Sequence, residues 1–581
     1  MPKRWRLLPE STEAARQLAG ALGIAPLVAQ LLIHRGLAEP GLAQRFLHPD
    51  LAHLHPPSLL PNLDAGVARL IKAFQEGERL LIYGDYDVDG VTSVSLLMRL
   101  FKPLARGQIY YQVPKRLEDG YGLSLESVRR AAQQGIKVIL TVDCGISAVA
   151  EVAAAREMGL DVIVTDHHQP GPVLPEAAAV IDPKLPGSRY PFTELAGVGV
   201  AFKLGQALVE RGLLARQELL RHLDLVALGT VADVVPLIDE NRILAHFGLA
   251  QLNRTELPGL RALLEVTRLD GREITSGQVG FVLAPRLNAS GRLGDASAGI
   301  RLLLTADLER GREIARALER ENQERQRIEA VVLGEALQLI KERVDLDRER
   351  AIVLGAQGWH PGVIGIVASR LIETFHRPTI LIAFDGDVGR GSGRSIPGFN
   401  LHWGLSQCAE HLERFGGHEA AAGLEIRWER LEGFARAFGE VARAAIPATA
   451  LEPTLRVEGQ IGLPEATLAL AKEIARLAPY GQGNPMPVLA CRGAKVLDCR
   501  GVGENSRHLK VKVAHGGVVR EGIGFNLGAI LPEIAAVNEV DLAFVVEQNT
   551  FNGATDVQLN LRDLACAARV EDRDASGSGS S

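Results

Sequence analysis

Three carboxylates occur at alternate positions in one short stretch of the chain. An apolar run, residues 80–83, leads into Asp85, Asp87 and Asp89, and Gly90 follows. An apolar run of this length that ends in carboxylates and glycine predicts a buried parallel strand opening into a site at its C-terminal end. Because neighbouring carboxylates repel one another, a bound cation is the simplest reason for keeping three of them together.

This stretch has two other possible interpretations, a calcium loop and a solvated acidic turn. A calcium loop of the form D-x-D-x-D-G requires Glu at its twelfth position, which counted from Asp85 is Leu96, and the flanking helix-loop-helix pattern is missing. A solvated acidic turn stays open from this stretch alone. Further ligands elsewhere in the chain decide between the turn and the cation site.

Candidate ligands follow other apolar segments. They are Asp143 after a strand-like run, Asp166, His167 and His168 after the next, and Asp233 inside the apolar segment 224–237. Singly, each has an ordinary explanation, such as a helix N-cap or a polar turn. An Asp in an apolar setting, however, is unusual unless it is paired or bound to metal. Four such signals in one region favour a shared site.

The ligand types indicate which metal the site would hold. Two ions could be held by Asp87, Asp89, Asp143, His167 and Asp233. Oxygen and nitrogen ligands without a thiolate suit Mn²⁺ or Mg²⁺, and zinc is less favoured. Sites with two such ions serve in-line displacement at phosphorus, where the ions provide the nucleophile and stabilise developing charge.

Composition bounds the class of protein. The 581 residues suggest three to four domains, and 46% hydrophobic with 23% charged residues is ordinary for a globular protein. The apolar runs are too short to span a bilayer and the N-terminus lacks a signal-peptide core, so we expect a cytoplasmic protein with no membrane association. Five scattered cysteines argue against a disulfide framework or a structural zinc site. The net charge of −6 neither indicates nor excludes a nucleic-acid partner.

Hydrophobic periodicity predicts an α/β multidomain fold. Strand-like runs that alternate with helical periods favour a mostly parallel sheet with ligands at the strand ends, an Ala/Leu/Glu/Arg-rich segment favours a long helix, and alternating short strands near the end favour a β-barrel of the OB-fold type. The predicted segments are a helical N-terminal segment (1–58), a parallel-sheet domain (59–303), a long connecting helix (304–347), a second α/β domain (348–448), a β-barrel (449–568) and a disordered tail (569–581).

The ordered motifs carry a family resemblance. Those of the first domain are GDYDVDG (84–90), TVDCG (141–145), DHH (166–168) and LGTVADVVPL (228–237). This ordered set resembles the DHH phosphoesterase superfamily, and in particular its RecJ branch of single-strand-specific 5′→3′ DNA exonucleases. The resemblance extends through VPKRLEDGYGLS (113–124), PRLNASGRLGDA (285–296), GWHPGVIGIVASRL (358–371), GSGRS (391–395), GGHEAAAG (416–423) and LAPYGQGNP (477–485). It implies a DHH domain, a DHHA1 domain and an OB-fold.

The resemblance also implies roles for individual residues. It assigns the metal ligands to Asp87, Asp89, Asp143, His167 and Asp233, with Asp85 as a further candidate. Asp143 would bridge the two ions, His168 would contact the scissile phosphate or help to protonate the leaving oxygen, and Asp166 would orient a histidine. Tyr83 stands where the family's pyrophosphatases usually have His. One metal would therefore have a more open or weaker site, which favours the exonuclease branch.

Arginines mark candidate phosphate contacts, because their guanidinium groups suit bidentate binding. In the first domain these are Arg116, before a Gly-rich turn, and Arg286 and Arg292, which flank Asn288. Surface or ion-paired arginines are the alternative explanation.

The second α/β domain adds further candidates for substrate contact. Residues 390–395, RGSGRS, offer two arginines and two hydroxyls on flexible backbone, with a plain hairpin turn as the alternative. The resemblance assigns Ser392 and Arg394 to a pocket for the 5′-terminal phosphate, and the Gly-rich motifs around His360 and His418 to substrate binding.

The predicted barrel would bind a single strand through basic groups and stacking aromatic rings. Arg507, His508, Lys510 and Lys512 supply the charge, and Phe525, Phe544 and Phe551 are the aromatic candidates. A barrel used for protein contact is the alternative.

Together these features predict a nuclease that degrades single-stranded DNA from its 5′ end to mononucleotides with two Mn²⁺ or Mg²⁺ ions. A cleft between the two α/β domains would set the 5′-phosphate pocket beside the metals. Polarity, preference for DNA, roles in recombination and repair, and partnership with a single-strand-binding protein and a helicase are implied by the resemblance. We expect a monomer. The alternatives are a DHH-type phosphodiesterase acting on short oligonucleotides or cyclic dinucleotides, and a catalytically silent DNA-binding scaffold.

Overall fold

The computed structural model describes residues 3–106, 108–114, 122–551 and 554–566. The chain forms two compact units. Unit I comprises residues 49–330 and 479–485, and unit II comprises 1–48, 331–478 and 486–581. Each unit is described separately below.

Residues 3–48 of unit II form one strand and three helices: β1 (Arg4–Leu7), α1 (Thr12–Leu22), α2 (Pro26–Ile33) and α3 (Pro40–Leu47). The sequence predicted the helices but missed β1, which pairs in parallel with Thr454–Val457. A partner so distant in the chain leaves no local signal. Within the described ranges no single helix is long and apolar enough to cross a membrane, and only α1 and α2, bent by 111°, meet that criterion as a pair.

Unit I is built on a five-stranded parallel sheet, as predicted. Its strands are β2 (Leu80–Gly84), β3 (Ile109–Gln112), β4 (Val138–Val142), β5 (Asp161–Thr165) and β6 (Ala179–Ile181), in the order β3-β2-β4-β5-β6. The central strands β2 and β4 are buried along their whole length, as expected when helices cover both faces of a parallel sheet. In the register, Gly84 pairs with Val142 and Val142 with Thr165, so β2, β4 and β5 end at the same edge.

Helices surround this sheet. They are α4 (Leu63–Glu76), α5 (Val88–Phe101), α6 (Leu125–Gln133), α7 (Val149–Glu157), α8 (Gly197–Glu210), α9 (Arg216–Leu220), α10 (Leu223–Ala232), α11 (Asp239–Leu252), α12 (Pro258–Val266), α13 (Ser276–Gln278), α14 (Ala284–Leu293) and α15 (Ser297–Leu304), with 3₁₀ turns at Leu51–His53 and Pro57–Leu59 and a π-helical turn at Val279–Leu283. Helices α5, α8 and α10 pack against one another. Because α5 and α10 are apolar on nearly all sides, they form the inner layer of the core.

A single 36-residue helix, α16 (Leu308–Arg343), begins in unit I and ends in unit II. At 1.5 Å per residue it is about 54 Å long. Ion pairs one turn apart, such as Arg310 with Glu313 and Arg327 with Glu324, line its exposed side. This agrees with the predicted solvated connecting helix.

Unit II contains a second, mixed sheet. Its strands are β7 (Ile352–Gln357), β8 (Thr379–Asp385), β9 (Val388–Arg394), β10 (Arg414–Gly417) and β11 (Ala421–Arg427), in the order β10-β11-β9-β8-β7. Helices α17 (Ile364–Phe375), α18 (Leu401–Ser406) and α19 (Leu431–Ala445) and 3₁₀ turns at Ala409–His411, Trp428–Arg430 and Ala448–Leu451 complete it.

Strand β9 corrects the expectation of flexible backbone or a hairpin turn at residues 390–395. It is hydrogen-bonded to β8 on one side and β11 on the other. Its glycines alternate with polar residues, and a Cβ on Gly391 would stand 2.6 Å from Leu424. Neighbouring apolar side chains therefore fill one face of the strand, and period-2 alternation leaves Arg390, Ser392 and Arg394 on the other.

Five strands form the predicted barrel: β14 (Leu489–Val502), β15 (His508–His515), β16 (Val518–Gly524), β17 (Glu539–Phe551) and β18 (Ala554–Cys566). Two strands precede it: β12 (Thr454–Val457), which pairs with β1, and β13 (Gly459–Gln460), which pairs with β14. Helices α20 (Leu468–Ala475) and α21 (Leu531–Ala535) and 3₁₀ turns at Glu504–Ser506 and Gly528–Ile530 complete this part of the chain. The ladder runs β14-β15-β16-β18-β17 and returns to β14. Closure removes the unpaired edges that an open sheet of this length would expose.

Candidate metal centre and phosphate pocket

The carboxyl edge of the unit I sheet gathers the predicted ligands. Asp85, Asp143 and Asp166 each directly follow a strand that ends at this edge, and all three are buried. The loop after β2 folds back closely, because a Cβ on Gly90 would stand 2.5 Å from the carbonyl oxygen of Asp85. Only glycine permits this return, which brings Asp87 and Asp89 to the same edge.

His167 stands among three carboxylates. Its Nε2 lies 3.0 Å from Oδ1 of Asp143, 3.7 Å from Oδ2 of Asp233 and 3.8 Å from Oδ2 of Asp89. Three overlapping groups have donor atoms within 4.8 Å of one another: Asp143 with His167 and His168, Asp89 with His167 and Asp233, and Asp85 with Asp87 and Asp143. Asp143 is shared by two of them. The structure thus brings together every residue that the sequence predicted as a metal ligand.

Backbone N–H groups hold two of these carboxylates in place. Asp87 caps α5, and its Oδ1 accepts from the N–H groups of Asp89 and Gly90 at 2.9 and 3.1 Å. Asp89 accepts from Gly197 and Val198 at the start of α8, at 2.6 and 2.8 Å. The N-terminus of a helix favours negative charge, so α8 stabilises the Asp89 carboxylate.

Asp143 occupies an unusual backbone conformation, with φ of 59°. Asp is among the few residues other than glycine that tolerate the left-handed region. Its side chain is enclosed by α8, because a Cβ on Gly197 would stand 2.7 Å from the Asp143 Cβ. A larger residue at 197 would displace the carboxylate that the two ligand groups share.

The charges of this cluster are mutually unfavourable. Burial, followed by the charge of Asp87, raises the pKa of Asp89 to about 7, against the opposing N–H groups of α8. Burial and the charges of Asp89 and Asp87 raise the pKa of Asp233 to about 9, and the same causes raise the pKa of Asp143 well above its usual range. Burial lowers the pKa of His167 to about 3, so its imidazole is neutral. Buried carboxylates beside a neutral imidazole are the donor set that a hard divalent cation requires, so these residues fit the expected metal.

Asp166 orients the second histidine. Its Oδ1 lies 2.7 Å from Nδ1 of His168, and its Oδ2 accepts from the N–H of Ile146 at 2.9 Å. Although burial opposes it, the hydrogen bond to His168 keeps the pKa of Asp166 below its usual value, and the same bond raises the pKa of His168. His168 is half exposed, whereas His167 is enclosed.

A cavity of about 330 Å³ opens beside the cluster. Its lining includes Asp87, Asp89, Asp233, Asn288 and Arg292, so two of the predicted substrate contacts lie at the ligands. Arg286 does not line it, because this side chain is engaged with Glu319 and with the carbonyl of Val282. Arg116 lies outside the described residues.

Unit II holds the two residues predicted to bind the 5′-terminal phosphate, Ser392 and Arg394. Arg394 donates through Nη1 to the carbonyl of Gly393 at 2.8 Å and to the Ser392 hydroxyl at 3.2 Å. Gly365 is the second residue of α17, and a Cβ there would stand 2.8 Å from Ser392 Oγ and 3.1 Å from Arg394 Nη2. The arginine and the serine therefore lie against the N-terminus of a helix, where N–H groups and the helix dipole favour anions.

Two histidines lie on segments flanking this pocket. His360 Nδ1 accepts from the N–H of Gly362 at 3.1 Å, and burial lowers the pKa of His360. The imidazole is therefore neutral with its proton on Nε2. His418 is exposed in the turn between β10 and β11, and the following strand begins at Ala421, which pairs with Arg394.

The barrel only partly matches its predicted binding surface. Phe544 is fully buried, so its assignment as a stacking residue was wrong, since its position on β17 faces the barrel core. Phe525 is 53% exposed and contacts the His508 ring edge-on. Lys510 is paired with Glu521 at 2.8 Å, and the side chain of Phe551 lies outside those that the structure describes.

Sequence reasoning missed two contributors to the metal centre. One is the pair of N–H groups from Gly197 and Val198, whose signal was the small-residue run 196–199 before an apolar helix. The other is Lys184, which follows β6 and whose positive charge lowers the pKa of His167 and opposes the raised pKa of Asp233. Lys184 also lies 3.5 Å from Glu194. Nothing in the local sequence signals its position.

Three family models match successive parts of the chain. The DHH family N-terminal domain matches residues 79–230, the DHHA1 domain matches 348–444, and the RecJ OB domain matches 457–563.

Similar proteins cover nearly the full length. The single-stranded-DNA-specific exonuclease RecJ of Bacillus subtilis is 38% identical over 97% of this chain and 71% of its own length. The protein of the same name from Escherichia coli K12 is 39% identical over 93% and 96%, respectively. The crystal structure of Thermus thermophilus RecJ in complex with Mn²⁺ matches with a TM-score of 0.84 and 33% identity, covering 98% of this chain and 80% of that one. The complex of that protein with Mg²⁺ matches with a TM-score of 0.78 and 31% identity, covering 97% and 78%.

Proposed function

The chain belongs to the RecJ family of single-stranded-DNA-specific exonucleases, and on this premise we propose that it degrades single-stranded DNA from the 5′ end and releases mononucleotides. The observation that carries the proposal is the position of His167 Nε2, 3.0–3.8 Å from the carboxylates of Asp143, Asp233 and Asp89. Such a cluster at the carboxyl edge of a parallel sheet suits metal-assisted hydrolysis of a phosphodiester.

The proposed cofactor is Mn²⁺ or Mg²⁺, two ions per site. The structures of Thermus thermophilus RecJ with each metal support this choice, as does the all-oxygen-and-nitrogen donor set. The ions would be held by Asp87, Asp89, Asp143, His167 and Asp233, with Asp85 as a further ligand. When bound, such ions activate water and neutralise charge on the phosphate oxygens.

The protein's own groups supply orientation and a proton. Asp143, shared by two ligand groups, fixes their spacing, and the α8 N-terminus holds Asp89. His168 uses Nδ1 for Asp166, so we assign its Nε2 to the scissile phosphate or to proton donation to the leaving oxygen. The raised pKa of His168 supports a proton-carrying role near neutral pH.

We assign the binding of the 5′-terminal phosphate to Ser392 and Arg394 of β9, whose side chains lie against the start of α17. The guanidinium group, the hydroxyl and the helix N-terminus together offer the donors that a phosphate dianion needs. Further substrate contacts are proposed for Arg116, Arg286, Asn288, Arg292, His360 and His418. For Arg286 to contact the substrate, its salt bridge with Glu319 must break.

The decisive experiment follows one strand labelled at either end. With Mn²⁺, a 5′-phosphorylated 40-mer labelled at the 5′ end should release labelled mononucleotide at once, whereas a 3′ label should leave progressively shorter fragments. The matching duplex should resist. Activity confined to dinucleotides or cyclic dinucleotides would instead establish the alternative phosphodiesterase, and release of mononucleotide first from the 3′ label would refute the polarity.

Other features are proposals from family membership. They are roles in recombination and repair, partnership with a single-strand-binding protein and a helicase, a monomeric state, a cytoplasmic location, and the domain limits 59–303, 348–448 and 449–568. Each has a direct measurement, such as sedimentation for the monomer or limited proteolysis for the domain limits.

A further inference from the structure

Phe281 is the most exposed large hydrophobic side chain among the described residues, at 87%. It stands in the π-helical turn Val279–Leu283, whose first and last residues are fully buried. Residues two positions apart on a helix point to nearly opposite sides, so anchoring the turn through its ends directs the ring between them away from the core. The buried side chains at both ends of the turn therefore keep the ring exposed to solvent.

The wide turn has a local cause. Pro285 has no N–H to donate to the carbonyl of Phe281, and its ring crowds that carbonyl. The preceding N–H, that of Ala284, donates to the carbonyl of Val279, five residues back, and not to the carbonyl four residues back as in an α-helix. Such π turns are rare and occur frequently at functional sites.

The same helical segment leads to the metal centre. The turn continues into α14, whose Asn288 and Arg292 line the cavity beside the acidic ligands. Helix α14 lies directly on the acidic loop, because a Cβ on Gly291 would stand 2.8 Å from the carbonyl oxygen of Tyr86. Seven residues of helix, about 10 Å along its axis, separate Phe281 from Asn288. The turn also packs on α10, which Asp233 directly follows.

A second apolar group is uncovered beside the ligands. Val234 directly follows Asp233, is 66% exposed and has φ of 63°. A β-branched residue in the left-handed region is strained, and such strain persists where the surrounding structure enforces it, often at a binding site. Unit I thus presents two uncovered apolar side chains on segments that adjoin its metal ligands.

We propose that Phe281 is a stacking platform for one base of the single strand, one or two nucleotides from the scissile phosphate. This rests on the proposed nuclease function. A phenyl ring has neither a positive charge nor a hydrogen-bond donor with which to bind a phosphate. Every base, however, has a π-face that can stack on the ring, whatever the sequence. In a duplex those faces are covered by neighbouring bases. Stacking on Phe281 is therefore available only to an unpaired strand, and the ring contributes to the preference for single-stranded DNA.

The test compares Phe281→Ala, Phe281→Leu and Phe281→Trp with wild type in the full-length protein. The substrate is a 5′-phosphorylated oligonucleotide with Mn²⁺, and KM and kcat are measured separately. Phe281→Ala and Phe281→Leu should raise KM about 5- to 100-fold with little change in kcat, and Phe281→Trp should retain wild-type KM. Met158→Ala, another exposed apolar side chain of unit I, serves as the matched control.

A second measurement identifies the base. An abasic residue is placed at each of the first five positions from the 5′ end in turn. At one of these positions the abasic residue should weaken DNA binding by wild type to the level of Phe281→Ala. The affinity of Phe281→Ala should not change when the abasic residue is placed there. 2-Aminopurine placed there should be quenched by wild type and by Phe281→Trp but not by Phe281→Leu.

The failures are distinguishable. If wild type does not degrade the strand, the proposed function fails. If wild type degrades it and Phe281→Leu has the same KM and the same response to abasic positions, only the stacking platform is refuted. Unchanged DNA kinetics combined with lost binding of purified single-strand-binding protein would also overturn it, and would make the exposed ring a protein contact.

Discussion

The metal centre of unit I and the Ser392–Arg394 pocket of unit II both suit a phosphodiester, yet their side chains carry opposite charges. The first concentrates buried carboxylates around a neutral imidazole, and its members raise one another's pKa values. The second sets one guanidinium group and one hydroxyl against a helix N-terminus. The first suits a cation, and the second suits an anion.

This difference determines how each site should respond to mutation. In the metal centre each carboxylate serves several partners, because Asp143 belongs to two ligand groups and Asp89 binds α8 as well. Losing one member therefore disrupts a shared arrangement. In the phosphate pocket the donors act side by side, so losing one weakens a single contact. The predictions below test that contrast in order of expected size.

The largest effect is expected from Asp143→Ala. Removing the shared carboxylate should lower kcat by at least about 10³-fold, while binding of a 5′-phosphorylated strand stays within about threefold of wild type. Single-turnover cleavage and fluorescence anisotropy measure the two quantities. Glu157→Gln, at the exposed end of α7, is the charge-loss control. Equal losses of cleavage and binding would mean that the two sites are not separable.

The next largest effect concerns metal and stability. A cation that offsets the carboxylate repulsion should stabilise the wild-type fold by about 2.7 kcal/mol at 100 times its Kd, seen as a higher Tm than in chelator. With a pKa of about 9, Asp233 must take up a proton when the protein folds without metal, at a cost in stability that Asp233→Asn avoids. In chelator the Tm of the variant should therefore equal or exceed that of wild type, and Mn²⁺ should raise it less. A lower Tm of the variant in chelator would contradict the account of repulsion.

In the phosphate pocket, Arg394→Ala should reduce the preference for a 5′-phosphate over a 5′-hydroxyl by about 10- to 50-fold without abolishing cleavage. Arg390→Ala is the matched control, because Arg390 lies on the same face of β9 but is associated with Glu425. The ratio of kcat/KM for the two ends is the measurement. Equal use of both ends by wild type would remove the basis for the pocket.

A buried acid outside both sites should have the smallest effect on cleavage, because it acts only on stability. Burial raises the pKa of Asp224 to about 6 from its usual 3.8, although the Thr255 hydroxyl, 2.6 Å away, opposes this. Because the folded state holds the proton more tightly, Asp224 destabilises the fold increasingly as the pH rises from about 4 to 6. Asp224→Asn should therefore gain up to about 3 kcal/mol over wild type above pH 6 and lose that advantage near pH 4.

Thermal melts across that range measure the difference, with exposed Asp270→Asn as control. An advantage of the Asn variant that is independent of pH would show that packing, and not protonation, is responsible.

Much of the architecture was predictable because its signals are local. Strand β2 reads as a continuous apolar run that ends in carboxylates, and α16 reads as a charged helical period without proline. The candidate ligands, which the structure brings together, followed from residue types at strand ends together with the ordered motifs. The errors fell where local pattern is ambiguous: β9 resembles a flexible Gly-Ser turn, and Phe544 resembles any other barrel aromatic.

Local patterns in the sequence thus predicted most of the elements, the candidate metal ligands and the kind of ion that they suit. Three contacts depend on tertiary packing: His167 lies among Asp89, Asp143 and Asp233, the N-terminus of α8 binds Asp89, and Arg286 pairs with Glu319. The exposure of the Phe281 ring to solvent also depends on that packing. The physical reason is distance along the chain. Periods of 2 and 3.6 residues are set by backbone geometry and can be read locally, whereas contacts between residues a hundred positions apart depend on how whole elements pack.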